Sequence, residues 1–247
     1  MIADSRNSPQ GPIDARLVRS PLQARGGGWL ARLTSVRALT IGLLILILLV
    51  AGPLQELDYF LARRWLYHLE PDLMWFAQNV LNRVASQAVC LLVLAVVAVV
   101  LARRRRSWRP IVFALASEAA FLVGIGGMKV LLARGVTYER DPDLLDGGLW
   151  AMGMKGISFP SGHAAEAVLI YGAAVYLIAH YSGASRRLVR LLCWGVVVIS
   201  VNSVVVSFLL GWHWASDLVG GLLAGGLLLR ILMRWDERGH GVRRADL

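Results

Sequence analysis

Ionisable residues are scarce in this chain. Only 17% of its 247 residues are Asp, Glu, Lys or Arg, while 57% are hydrophobic. A soluble globule usually carries about a quarter charged residues. The apolar residues also fall in blocks, which a bilayer can bury, so a water-soluble domain is not the economical reading. Cysteine is nearly absent. Cys90 and Cys193 stand singly inside apolar stretches, which excludes a disulfide framework and a thiolate metal site and leaves two small core hydrophobes. No metal-ligand cluster is apparent, and neither a metal nor a cofactor is expected. Acidic residues are the scarcer charge, 16 against 26 basic ones, for a formal charge of +10. In a soluble protein such an excess would suggest nucleic acid. Here most positives sit in short loops beside apolar blocks, where topology and attraction to anionic headgroups account for them. The expected partners are the bilayer and a membrane lipid, not nucleic acid, and the oligomeric state is left open.

Apolar blocks lie at 38–55, 85–102, 110–132, 163–181, 188–210 and 216–233. Each approaches the roughly 20 residues with which a helix crosses the hydrocarbon, where every backbone polar group must be paired. The expected fold is all-α: a polytopic membrane protein with six transmembrane helices. Gly211 to Ala215 separates the last two blocks, which implies a tight hairpin. Between the first two spans, Leu57, Phe60, Leu61, Trp65, Leu66 and Leu69 form one amphipathic stripe, and Met74, Trp75, Phe76, Val80 and Leu81 another. Arg63, Arg64, Glu70, Asp72 and Arg83 oppose a full crossing, so 56–84 reads as two short interfacial helices broken near Pro71. They either cover a site, admit lipid sideways or pack on the surface. The chain divides into a cytoplasmic N-terminal tail over 1–37, a transmembrane domain over 38–235 and a cytoplasmic C-terminal tail over 236–247. The N-terminal tail is too long and polar for a signal-peptide start and is expected to be disordered, with part of 28–37 on the membrane surface.

Arginine and lysine set the sidedness. With the N terminus inside, 19 of the 26 positives fall on cytoplasmic segments and 7 on the other side. The positive-inside rule then places both termini in the cytoplasm of a bacterial-type inner membrane. The same arrangement gathers Lys129, residues 158–163, His213 and Asp217 at one outer boundary, facing the periplasm or exterior, and of these only Lys129 enters the charge count.

Those residues carry chemistry. Ser158-Phe159-Pro160-Ser161-Gly162-His163 precedes the fourth span. Ser161 and Gly162 suit a helix start whose free N–H groups can cradle phosphate oxygens, with His163 able to donate a proton to a leaving oxygen. An ordinary N-cap beside an interfacial histidine is the plain alternative. His213 and Asp217 are four residues apart, hence on one face if the sixth helix begins near the histidine, where the carboxylate can orient the imidazole for attack on phosphorus. A structural His–Asp pair with Trp212 and Trp214 as interfacial anchors is the alternative. Lys129 can neutralise phosphate charge or snorkel from a lipid-facing helix, and Arg134 can clamp phosphate oxygens or be a rim charge. Deeper in the membrane, Glu118 is expected to be protonated and hydrogen-bonded to Ser200, Asn202 or Ser203, with proton transport as the functional alternative. Glu166 can tune His163 or pair with Arg134 or Lys129, and Gly220-Gly221 to Gly225-Gly226 reads as a close helix approach.

Together these pieces resemble the type-2 phosphatidic acid phosphatase (PAP2) superfamily, membrane lipid-phosphatase branch. The matching elements are Lys129, Pro160-Ser161-Gly162-His163, and His213 with Asp217, and the resemblance spans roughly 85–235. It implies hydrolysis of a lipid phosphate or pyrophosphate in two in-line steps without a divalent metal. His213 would be the nucleophile that becomes a phosphohistidine, Asp217 its orienting group, and His163 the acid and then base. Lys129, Ser161 and Gly162 would bind the phosphoryl oxygens. Two family arginines are missing, with Val136 and Ser207 in their positions and Thr137 where proline should follow. Losing one oxygen-stabilising contact costs about 3 kcal/mol, roughly a hundredfold in rate. Arg134 is the nearest substitute in sequence, with Arg140 and Lys155 as further candidates. The departures keep two alternatives open: a lipid phosphotransferase, or a catalytically weak lipid-binding or transport member of the fold.

Overall fold

The structure is a computed structural model and describes residues 28–68 and 70–245. Every regular element among the described residues is helical. α1 (Gly28–Leu33) leads into α2 (Val36–Val50), capped by Ser35, whose side chain accepts from the Ala38 N–H at 3.2 Å. α2 has 15 residues, or about 22 Å, which is short of the hydrocarbon thickness. The chain then turns through Gly52 and Pro53 into α3 (Leu54–Leu61), and the two segments meet at 79°. The first expected span is therefore broken. Five other helical lengths can cross a membrane, six if the bent pair counts as one.

α4 (Pro71–Phe76) begins on its proline, whose missing N–H costs nothing in a first turn. It continues through a π turn at Ala77–Leu81 and a 3-10 turn at Asn82–Ala85 into α5 (Gln87–Arg105). α6 (Arg109–Ala120) passes through a π turn at Phe121–Ile125 into α7 (Gly126–Leu132). A short α8 (Leu149–Met152) interrupts the following loop. α9 (Gly162–Tyr181), α10 (Arg186–Leu209) and α11 (Ala215–Ala245) complete the molecule. Ser161 and Ser185 cap α9 and α10 through their side chains. The expected tails fall partly outside the described residues: 1–27 are not described, and α11 runs on to Ala245.

α9 is the central post. Its Leu169, Ile170, Ala173 and Leu177 pack on Cys90, Leu94 and Ala98 of α5 and on Phe113 of α6. Leu92, Leu115, Val123 and Val198 face outward, as lipid-facing positions should. α11 lies close against α9 because it presents glycine there. A Cβ on Gly221 would sit 2.9 Å from Ala164 Cβ, and one on Gly225 would sit 2.7 Å from the Ala165 carbonyl oxygen. The glycine pairs are a packing seam, as their position within the membrane suggests. Glu118 differs from expectation. Its Oε1 accepts from Gln87 Nε2 on α5 at 2.7 Å, while Asn202 donates to the Leu81 carbonyl instead.

The bundle has two distinct ends. At one, Arg105 donates to the Tyr181 carbonyl at 2.7 Å, Arg109 to the Gly239 carbonyl at 2.6 Å and Arg230 to Thr34 at 2.7 Å. At the other, α3, the C terminus of α7, the 133–158 loop and the N termini of α9 and α11 converge. The chemistry-bearing residues gather at that second end.

Candidate active site

The 133–158 loop is folded back on itself by backbone hydrogen bonds. The Gly147 N–H donates to the Ala133 carbonyl at 2.7 Å, Gly148 to Gly156 at 2.8 Å, Val136 to Lys155 at 2.9 Å and Ser158 to Arg134 at 2.8 Å. Gly148 stands at φ +123°, a conformation that a side chain would oppose. The result sets Arg134 beside Ser158, and both side chains reach Asp217.

Three further bonds join the helix ends to one another and to this loop. The Ser161 N–H donates to the Asp217 carbonyl at 2.9 Å, tying the start of α9 to the first turn of α11. The Trp214 indole N–H donates to the Gly135 carbonyl at 2.8 Å. Thr137 Oγ1 donates to the Gly211 carbonyl in the hairpin. Trp214 is fully buried and belongs to the core of the site, which removes it as an interfacial anchor; Trp212 is only half-buried.

Asp217 is the hub. One oxygen, Oδ1, accepts from Arg134 Nη1 at 2.7 Å. The other, Oδ2, accepts from the Ser158 hydroxyl and from the Trp214 N–H at 3.2 Å, and lies 3.4 Å from His213 Nδ1. Ser158 Oγ is itself 3.3 Å from the same ring nitrogen. The imidazole is thus held on its Nδ1 edge, leaving Nε2 as the nitrogen free for other work. His163, on the first turn of α9, has its Nε2 3.2 Å from Asn82 Nδ2. It lies within electrostatic reach of both His213 and Lys129. Lys129 Nζ donates to the Ile157 carbonyl at 2.8 Å and the Ser158 carbonyl at 3.2 Å, which leaves one N–H uncommitted. A Cβ on Gly162 would lie 3.9 Å from Lys129 Cε, so the lysine stem runs beside the start of α9. The Ser161 hydroxyl accepts from the Ala164 N–H, and the amides of Gly162 and His163 are the first two of the helix, without an intrahelical acceptor.

His163, His213, Asp217, Lys129, Ser161 and Gly162 therefore come together. The substitutes considered for the missing arginines take other places. Arg134 is fully buried. Besides Asp217, it donates through Nη2 to Asp58 Oδ2 at 2.8 Å, through Nη1 to Ser216 at 2.8 Å and through Nε to the Pro142 carbonyl at 2.8 Å. Its guanidinium faces carboxylates, with Trp214 against its plane at 5.1 Å. Lys155 pairs with Glu139 at 3.4 Å, and Arg140 Nη1 lies 3.4 Å from the Tyr59 hydroxyl. Ser207, in one of the vacated arginine positions, is buried with no partner for its hydroxyl among the described residues, and Val136 in the other is also buried.

Sequence reasoning missed Asp58, Asn82 and Ser216. Asp58 is buried on α3, where its Oδ1 accepts the Ser216 N–H at 3.1 Å and its Oδ2 accepts the Ser216 hydroxyl as well as Arg134. An acid set within the apolar stripe of Leu57, Phe60 and Leu61 was the available signal. Asn82 carries none. The loop also brings Asp141, Asp143 and Asp146 together, with ligand atoms within 4.8 Å of one another. There the Asp141 carboxylate accepts the Asp143 N–H at 3.1 Å.

Two comparisons bear on this arrangement. The family model for the PAP2 superfamily matches residues 135–240, which includes both histidines and Asp217. The fold matches the crystal structure of a transmembrane PAP2-type phosphatidylglycerolphosphate phosphatase from Bacillus subtilis. The TM-score is 0.67 at 19% identity, covering 82% of this chain and 96% of that one. No curated protein sequence matches the chain. The protein thus has the fold of a PAP2-type, membrane-associated lipid phosphatase. It is a multi-pass membrane protein.

Proposed function

We propose that the protein is an outer-face lipid phosphate or pyrophosphate phosphatase that works through a phosphohistidine. The observation that carries the reading is the Asp217 carboxylate on His213 Nδ1 at 3.4 Å, beside a second histidine at the start of α9. His213 Nε2 attacks phosphorus, forming the N–P bond as the P–O bond to the lipid breaks. His163 gives its proton to the departing oxygen. Water then attacks the phosphohistidine, its proton passes to His163, and the N–P bond breaks to release inorganic phosphate. Lys129 and the free amides of Gly162 and His163 offset charge on the equatorial oxygens. Arg134 acts indirectly, by fixing Asp217. Asn82 can offer His163 either a donor or an acceptor by rotating its amide, so it suits the ring with or without its proton.

Purified protein in detergent or liposomes should release phosphate from at least one member of a lipid-phosphate panel. The His213→Ala variant should lose activity by about a thousandfold or more, as removal of an attacking group does. Equal release by that variant would end the nucleophile assignment. Label passing from donor lipid to another lipid, with no free phosphate, would favour a phosphotransferase.

A further inference from the structure

Beside the α10–α11 hairpin the bundle end opens into a cavity of about 470 Å³, walled by Arg63, Arg64 and Arg140 with Trp65 and Tyr138. A smaller hollow shares Arg63 and Arg140 and is also lined by Trp214. All three arginines are exposed, and among the described residues none makes an ion pair. What they have instead is aromatic surface. Arg63 lies 5.1 Å from the Phe60 ring and 5.8 Å from Trp65. Arg64 lies 4.8 Å from Tyr67 and 5.4 Å from Tyr138, and Arg140 lies 5.9 Å from Tyr59. A ring engages the face of a guanidinium and leaves the in-plane N–H edge of Arg63 and Arg64, the edge that matches a phosphate, while Arg140 also donates through Nη1 to the Tyr59 hydroxyl at 3.4 Å. Nearby carboxylates are turned elsewhere: Glu139 pairs with Lys155, and Asp141 accepts a backbone N–H of its own loop.

The cavity is joined to the catalytic hairpin. Arg64 packs on Gly211 so closely that a Cβ there would meet Arg64 Cγ at 2.9 Å. Thr137, another wall residue, donates to the Gly211 carbonyl, and Gly211 precedes His213 by two residues.

We propose that this cavity is a second oxyanion site, which takes a phosphate-class group of the lipid headgroup other than the one attacked. It thereby favours substrates whose headgroup carries more than one phosphate. The substrate preference rests on the phosphatase reading; the anion site does not.

Two measurements on the purified full chain test it. In calorimetry with inorganic pyrophosphate, wild type and His213→Ala should both bind, and the double variant Arg63→Gln, Arg64→Gln should bind at least about tenfold more weakly. Binding unchanged in the double variant, with unfolding temperature also unchanged, would overturn the site. In kinetics on a lipid monophosphate and a diphosphate with the same tail, the double variant should raise KM about tenfold for the diphosphate alone. Its kcat should stay put, as should both parameters for the monophosphate. An equal loss on both lipids would mark a general contact with anionic lipid and overturn the preference. If wild type releases phosphate from neither lipid, the phosphatase reading fails and the preference fails with it, while calorimetry still decides the anion site.

Discussion

Arg134 shows how a residue with one apparent purpose acquires another once its neighbours are known. Its planar fork spans two carboxylates, Asp58 at 2.8 Å and Asp217 at 2.7 Å, all in a site closed to water. Removing one partner from a buried charge network leaves the others uncompensated, at about 3–5 kcal/mol. Arg134→Ala should therefore lower the unfolding temperature in detergent markedly, because two carboxylates lose their shared cation. Arg134→Lys should recover only part of that loss, since an ammonium has no fixed fork with which to reach both acids. A lysine variant with wild-type stability would show that charge alone matters here. The His213–Asp217 pair was legible from its four-residue spacing, although α11 begins only at Ala215 and the imidazole meets the carboxylate from the turn before the helix, not from one helix face. Asp58 was not, because its contact to Arg134 crosses 76 residues and no local spacing encodes it. Asn82 meets His163 across 81 residues and was hidden for the same reason.

At the scale of elements, hydropathy located the long helices and the hairpin between α10 and α11, since lipid exposure and a run of turn residues both leave local marks. It passed over the break in the first span. Leu46 and Val50 pack on Phe159, so the apolar block runs up to the bend, and Pro53 at the start of α3 is the local feature that interrupts the helix there. The two π turns left no readable trace, because an extra residue in a helical turn changes no composition. The α9–α11 seam was readable from its glycines, and it yields a direct test. A side chain on Gly225 would meet the Ala165 backbone, with Cα at 3.0 Å and carbonyl oxygen at 2.7 Å from the new Cβ. Backbone cannot rotate aside as a side chain can, so Gly225→Val should cost about 1–3 kcal/mol by overpacking. It should also lower phosphate release, because the seam holds Ser161 against the first turn of α11. Thermal unfolding of the variant in detergent measures the first effect and the lipid assay the second. An unshifted unfolding temperature would mean that the two helices separate more easily than their fit implies.

For the whole molecule, the two ends of the bundle differ in what they offer a membrane. Arg105, Arg109 and Arg230 mark one end through their contacts with Tyr181, Gly239 and Thr34. The histidines, Lys129 and the arginine-walled cavity mark the other. The charge bias of 19 positives against 7 reads the first end as cytoplasmic, and a lipid phosphatase oriented that way would work on the outer leaflet. Single-cysteine labelling in intact cells resolves the question, in a background with Cys90 and Cys193 replaced by alanine. A cysteine at Lys155, which is exposed near the candidate site, should react with a membrane-impermeant maleimide added outside. One at Arg187, at the start of α10 and the opposite end, should react only after the membrane is opened. The reverse pattern would place the site in the cytoplasm. It would also mean that the positive-inside bias had been overridden by some stronger determinant of insertion, and the lipid pool available to His213 would change from the outer leaflet to the inner.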